Sequence, residues 1–165
     1  MTVTQLPLEL ADKHGNPFRV RELEAGDRAE LEQMYAAFMP KRAAQGLPPE
    51  GDYALRRWLD HIMKGGRHFL VEVGAVVSGH LMLIPMEDGE SIELAVFLHQ
   101  SIRRRGIGTA MNRLAVQLAR EDGFKRVWLS VELSNIPAIR SYQKAGFKTL
   151  KETVWAAEVE MEVRL

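Results

Sequence analysis

The sequence predicts a mixed α/β fold of the α+β kind, a mostly antiparallel sheet with helices on both faces. Three observations predict it. The spacing of apolar residues switches between about 2 and about 3.6 along the chain. Three strand-like runs follow one another between residues 68 and 98, parted only by turn residues. A strand, a helix and another strand then succeed one another over 90–133, and such a crossover makes its two strands parallel.

The elements follow in order. "LPLEL", "HGNP" and "FRVRE" alternate around a turn and predict an N-terminal β-hairpin over about 5–22. In "GDRAELEQMYAAFM", Asp27 is the expected N-cap, with Glu30 three residues on, and Leu31, Met34, Tyr35 and Phe38 share one face. "YALRRWLDHIM" predicts a second amphipathic helix, closed by Gly65 and Gly66. "HFLVEV", "AVVSGHLMLIP" and "ESIELAVFL" predict an antiparallel meander. From Gly106 the period turns helical, with Ile107, Met111, Leu114 and Leu118 on one face and Gly123 at the end. "KRVWLSVEL" is the next strand, apolar at Val127, Leu129, Val131 and Leu133. In "NIPAIRSYQKAGF", Asn135 caps a short helix, Pro137 suits its first turn and Gly146 suits its left-handed end. "FKTLKETVW" and "VEMEVRL" read as closing strands.

The 165 residues suffice for a single domain, expected over 1–165. Formal net charge is zero, which argues against a nucleic-acid partner, since phosphates need a basic face. With no cysteine, a disulfide framework, a thiolate metal site and a cysteine nucleophile are excluded. No apolar run reaches a membrane span, and the start lacks the pattern of a signal peptide, so no membrane partner and a cytoplasmic location are expected. The five histidines show no ligand spacing, so no metal is expected.

"SIRRRGIGTA" sets Arg103, Arg104 and Arg105 against Gly106, Gly108 and Thr109 where a strand becomes a helix. Free backbone N–H groups and the positive helix end make such a turn an anion site. The dinucleotide fingerprint fails because Met111 stands where a third glycine is needed, and the triphosphatase loop fails because no lysine precedes Thr109. A solvated basic face and a short nuclear signal are the plainer readings.

The wider pattern decides between them. "ELAVFLHQSIRRRGIGTAMNRLAVQLA" resembles the acyl-CoA pyrophosphate motif of the GNAT superfamily of N-acetyltransferases, matched at Arg103, Gly106 and Gly108. "VWLSVELSNIPAIRSYQKAGFK" resembles the strand and helix that follow it there, matched at Asn135, Ala138, Tyr142, Gly146 and Phe147. The sequence departs mildly at Gln100, where proline is common, at Ile102, where an aromatic is common, and at Arg104, where glycine is common.

The resemblance implies that the strands at 90–98 and 125–133, the family's fourth and fifth, are parallel and splay apart around the pantetheine arm. Cofactor contacts are then expected at Val96, Phe97, Leu98, Arg103, Arg104, Arg105, Gly106, Gly108, Thr109, Asn135, Ala138 and Tyr142, with the Leu98 N–H polarising the thioester carbonyl. Tyr142 would protonate the departing thiolate; a core aromatic is its plainer role. Glu93, ten residues before Arg103, resembles the general base of protein-lysine members of the family, against the plainer reading of a solvent-facing strand residue. A base is useful because freeing a lysine-like amine of pKa near 10.4 at pH 7 costs about 4.6 kcal/mol. His80 and His99 are weaker candidates. The expected activity is direct acetyl transfer from acetyl-CoA to a primary amine in a ternary complex. The alternative is a non-catalytic acyl-CoA sensor. Protein lysine and a small amine or amino-acid derivative are both open as acceptors, as is a homodimer. Acceptor choice is expected from the helices at 27–64, the loop 39–52 and the strand after Phe147.

Overall fold

In the computed structural model, residues 2–41, 47–151 and 157–165 are described. Eight strands form one sheet in the order β1-β2-β3-β4-β5-β6-β8-β7. They are β1 (Leu8–Ala11), β2 (Pro17–Glu22), β3 (Arg67–Val73), β4 (Val76–Pro85), β5 (Ser91–Leu98), β6 (Arg126–Glu132), β7 (Lys148–Lys151) and β8 (Glu158–Arg164). Every neighbouring pair is antiparallel except β5–β6. Four helices join them: α1 (Arg28–Ala37), α2 (Asp52–Ile62), α3 (Ile107–Glu121) and α4 (Ile136–Lys144).

The strand alternation sorts the core into two layers. Ile92 and Leu94 of β5 pack with Ile107, Met111, Ala115 and Leu118 of α3, and α4 lies against this cluster through Ala138, Ile139 and Tyr142. Phe97 of β5 and Leu70 and Met82 of the adjoining strands face the other way. There they bury Leu31, Met34 and Tyr35 of α1 and Leu55 and Leu59 of α2. The helices thus cover both faces, and odd residues of β5 look towards α1 and α2 while even residues look towards α3.

Three local expectations need correction. Asp27 does not cap α1 with its side chain. A 3-10 turn at Ala25–Asp27 precedes the helix, and the Asp27 carboxylate bonds back to the Glu24 N–H and to Arg21, at 2.7–2.8 Å. The ion pair with Arg21, which also holds Glu72, outcompetes local capping. Phe38 falls just past α1 yet remains buried. Leu133 lies beyond the end of β6 and is exposed, so the alternation stops at Val131. The expected strand over 147–155 is described only as far as Lys151, and residues 42–46 of the expected specificity loop also lie outside the described residues.

Candidate active site

The parallel pairing of β5 with β6 covers only Ser91 with Arg126, Ile92 with Val127 and Glu93 with Trp128. Beyond that rung the two strands part. The antiparallel β4–β5 ladder fixes what the parted edge presents. Met86 donates to the Ser91 carbonyl at 2.9 Å and His99 donates to the Ser78 carbonyl at 2.8 Å, so odd residues of β5 direct their backbone at β4. Phe97 is therefore bonded into the ladder opposite His80. Its expected backbone contact to a cofactor is already taken up by β4. Val96 and Leu98 direct theirs at the open side. The Leu98 carbonyl accepts from Arg103 Nε at 2.9 Å, which leaves the Val96 amide groups and the Leu98 N–H as the free edge.

Below this edge lies the arginine-glycine turn. Gly106 caps α3 in the left-handed region (φ 79°), and Arg104 also has positive φ, at 62°. The first bond into the helix is Ala110 N–H to the Gly106 carbonyl. The N–H groups of Ile107, Gly108 and Thr109 have no intrahelical partner. With those of 104–106 they form a row of donors at the positive end of a 15-residue helix.

The three arginines, expected to act as one anion cluster, divide their work. Arg103 lies 5.0 Å over the Phe38 ring and also bonds the Met39 carbonyl, so its guanidinium ties the end of α1 to β5. Gln100 adds to that tie by bonding the Ala37 carbonyl and the Met39 N–H, which accounts for the departure at this position. Arg105 donates from Nε to Asp12 in the N-terminal hairpin at 2.6 Å. The Asp12 side chain has no exposed surface. Burial works to raise its carboxyl, but the Arg105 bond and the N–H groups of Asn16 and His14 outweigh it and hold it well below the usual carboxylate range. Only Arg104 is exposed with no partner among the described residues.

Glu93 and Tyr142 flank the splay from opposite faces. Glu93, at the last paired rung, is exposed on the α1–α2 side. Crowding by protein still raises its pKa, through lost solvation. It borders an open cleft of about 380 Å³ with Pro85, Met86, Glu87 and Asp88. Tyr142 sits on α4 in the α3-side cluster, its ring 5.7 Å from that of Phe147. Burial pushes its hydroxyl up to about 12, and no described group hydrogen-bonds it.

The α3–α4 contact holds a polar group that the sequence reading missed. Gly108 lets α4 approach: a Cβ there would stand 3.4 Å from Ser141 Oγ. That oxygen accepts from Asn112 Nδ2 at 3.0 Å and lies 3.2 Å from Thr109 Oγ1. The expected ligand Thr109 thus belongs to the joint beside Tyr142. Asn135 accepts from the Ala138 N–H at 3.4 Å, so these two expected ligands form the α4 cap.

His80 and His99 have structural surroundings. His99 accepts from the Ser101 N–H and closes a 3-10 turn. His80 is fully buried and joins Tyr35, at 2.6 Å, to His68, at 3.0 Å, while His68 reaches the Gly65 carbonyl at 2.8 Å. The carbonyl can only accept, so the chain has one direction with both rings neutral: Tyr35 O–H donates to His80, His80 to His68 and His68 to Gly65. Burial, reinforced by His68, pulls the His80 pKa from 6.5 down to about 3.

Among the described residues, no group of three or more His, Asp or Glu side chains could hold a metal ion, and no helix is long and apolar enough to cross a membrane.

Comparison with known proteins adds to this geometry. The family described as Acetyltransferase (GNAT) family matches residues 28–147. An N-alpha-acetyltransferase of Sulfurisphaera tokodaii is 26% identical over 160 residues, covering 87% of this chain and 89% of that protein. A mycothiol acetyltransferase of Mycolicibacterium vanbaalenii is 31% identical over 110 residues, 67% of this chain. The chain spans only 34% of that relative's length. The GNAT domain of S. lividans PAT superposes with a TM-score of 0.80 at 18% identity, covering 96% of this chain and 97% of that one. A spermidine N-acetyltransferase from Vibrio cholerae, solved with CoA and spermine, superposes at 0.67 and 19% identity, covering 89% and 95%. At such identities these two likenesses concern the fold.

Proposed function

The chain belongs to the GNAT acetyltransferase family, and from that membership we propose that it moves the acetyl group of acetyl-CoA directly onto a primary amine within a ternary complex. The observation that carries the proposal is the three-rung parallel pairing with Glu93 on one side of the parting and Tyr142 on the other. The pantetheine arm, an extended chain bearing amides, suits the free edge at Val96 and Leu98. The pyrophosphate suits the N–H row at Arg104–Thr109.

In the reaction, Glu93 takes a proton from the acceptor amine, directly or through water. The amine nitrogen attacks the thioester carbonyl carbon, whose oxygen the Leu98 N–H stabilises. The carbon–sulfur bond then breaks, and the Tyr142 hydroxyl gives its proton to the sulfur. The burial that pushes Tyr142 up to about 12 also raises a thiolate held against it, which keeps the two groups closer in basicity. Lost solvation raises the Glu93 pKa, which makes its carboxylate a stronger base. The carboxylates of Glu87 and Glu93 beside the cleft favour an acceptor that arrives as a cation, such as a lysine side chain or a small amine, while Asp88 is held by Ser91 and Arg126.

The proposal treats residues 1–165 as one acetyltransferase unit, since the hairpin and closing strands share one sheet. A chain without cysteine suits a reducing cytoplasm. The test is thiol release from acetyl-CoA against a panel containing a lysine peptide, polyamines, amino-acid amines and amino sugars, with the acetylated product identified by mass. Turnover with an amine supports the proposal. Tight acetyl-CoA binding without turnover on any amine would move the reading to an acyl-CoA sensor.

A further inference from the structure

We infer that the N-terminal hairpin is part of the cofactor site and that Lys13, at its turn, supplies a cation to the pyrophosphate cradle. The inference rests on the acetyl-CoA reading above. The hairpin turn is seated on the arginine-glycine loop by two contacts. The Lys13 N–H donates to the Arg105 carbonyl at 3.0 Å, and the buried Asp12 carboxylate holds the Arg105 guanidinium. Between these contacts the Lys13 side chain runs across the glycine that caps α3. A Cβ built on Gly106 would lie 3.5 Å from Lys13 Cβ and 3.9 Å from its Cγ and Cδ. The stem therefore passes beside Gly106, about a methyl's width from the backbone whose N–H groups form the donor row.

Charge accounting at the loop favours the same conclusion. Asp12 neutralises Arg105, and Arg103 is held by Leu98 and Met39, so of the three arginines only Arg104 keeps an unpaired guanidinium among the described residues. The pyrophosphate carries two negative charges. Lys13 is exposed and has no carboxylate partner among the described residues. The hairpin thus withdraws one cation from the loop and returns another, which sets Lys13 beside Arg104 as a second side-chain cation with no partner among the described residues.

The test compares wild type, Lys13→Ala and Lys13→Arg by calorimetry with acetyl-CoA, with acetyl-dephospho-CoA and with acetyl-pantetheine. Lys13 sits in an exposed turn, and thermal melts of each variant check that the fold is kept. Lys13→Ala should weaken acetyl-CoA binding about tenfold, about 1.4 kcal/mol, and Lys13→Arg should restore most of it. The same loss should appear with acetyl-dephospho-CoA and be absent with acetyl-pantetheine. It should shrink as salt rises. In turnover, KM for acetyl-CoA should rise while kcat at saturation holds. Equal affinity of wild type and Lys13→Ala for acetyl-CoA overturns the inference and leaves the cofactor reading standing. An equal loss with acetyl-pantetheine overturns it, because Lys13 then acts through the fold. A loss confined to the ligand with the 3′-phosphate overturns the assignment to the pyrophosphate. A wild type that binds none of the three overturns the acetyl-CoA reading itself.

Discussion

Lowering the pH should destabilise this protein through His80. The ring is fully buried between Tyr35 and His68, and its pKa falls from 6.5 to about 3. The folded protein therefore refuses a proton that the unfolded chain accepts below pH 6.5. Stability from this group is complete above 6.5 and falls as pH drops towards 3. At about 1.36 kcal/mol per pH unit, the 1.5 units between 6.5 and 5 remove about 2 kcal/mol by pH 5. His68 acts in the same direction, since burial lowers its pKa as well. Against a typical total of about 5–15 kcal/mol, such a loss is large. The assay is urea unfolding at pH 7.5, 6 and 5, on wild type and His80→Gln. The variant starts less stable but keeps a polar partner for the Tyr35 hydroxyl and has no ring to titrate. Carboxylates titrate in both proteins, so the difference between the two slopes isolates the ring. Wild type should lose about 2 kcal/mol more than the variant between pH 7.5 and 5. Coincident slopes would refute a buried, neutral His80.

Four further outcomes follow from the site. Tyr142→Phe keeps the ring against Phe147 and should lower kcat about 10²–10⁴-fold with little change in acetyl-CoA affinity; near-wild-type turnover would leave Tyr142 a packing residue. Because its hydroxyl titrates at about 12, the wild-type rate should show no decline from Tyr142 up to about pH 10, as a pH–rate series would reveal. Glu93→Gln should flatten the acidic limb of that series, and an unchanged limb would assign the base to another group. Arg104→Gly should separate folding from binding. The left-handed backbone at φ 62° costs a non-glycine residue about 1–2 kcal/mol, and glycine returns about 0.5–1 in chain entropy. The melting temperature should hold or rise while acetyl-CoA affinity falls, and a drop in both would contradict this account.

Much of the fold was legible because its signals are local. The β5–α3–β6 crossover could be read from a change of period at Gly106, and the α4 cap from Asn135 with Pro137. The family motifs then singled out the turn at 103–109, the loop proposed to take the cofactor. What the sequence concealed are partnerships across long separations. Nothing near Arg105 in the chain announces Asp12, 93 residues earlier, so three adjacent arginines look equivalent when only one is unpaired among the described residues. Asp27 carries the signature of a helix cap, yet Arg21 on β2 draws its carboxylate into a pair with better geometry. Tyr35, His80 and His68 lie on three different elements, and no periodicity relates them. The backbone direction of Phe97 follows from the β4–β5 register, which depends on which residue closes the turn at 86–90.

The three rungs between β5 and β6 also bear on the mechanics of the molecule. Among the described residues they are the only backbone ladder joining β1–β5 to β6–β8, so the sheet has a seam, bridged elsewhere by the packing of α3 on β4, β5 and β6. A ligand arm that bonds Val96 and Leu98 on one lip of that seam and lies against β6 on the other acts as a stitch. The acetyl donor would then be a structural member as well as a reagent. Each turnover would loosen and re-tighten the joint between two halves of one sheet, and amides along the inner lips of β5 and β6 would exchange with deuterium fastest when no donor is bound.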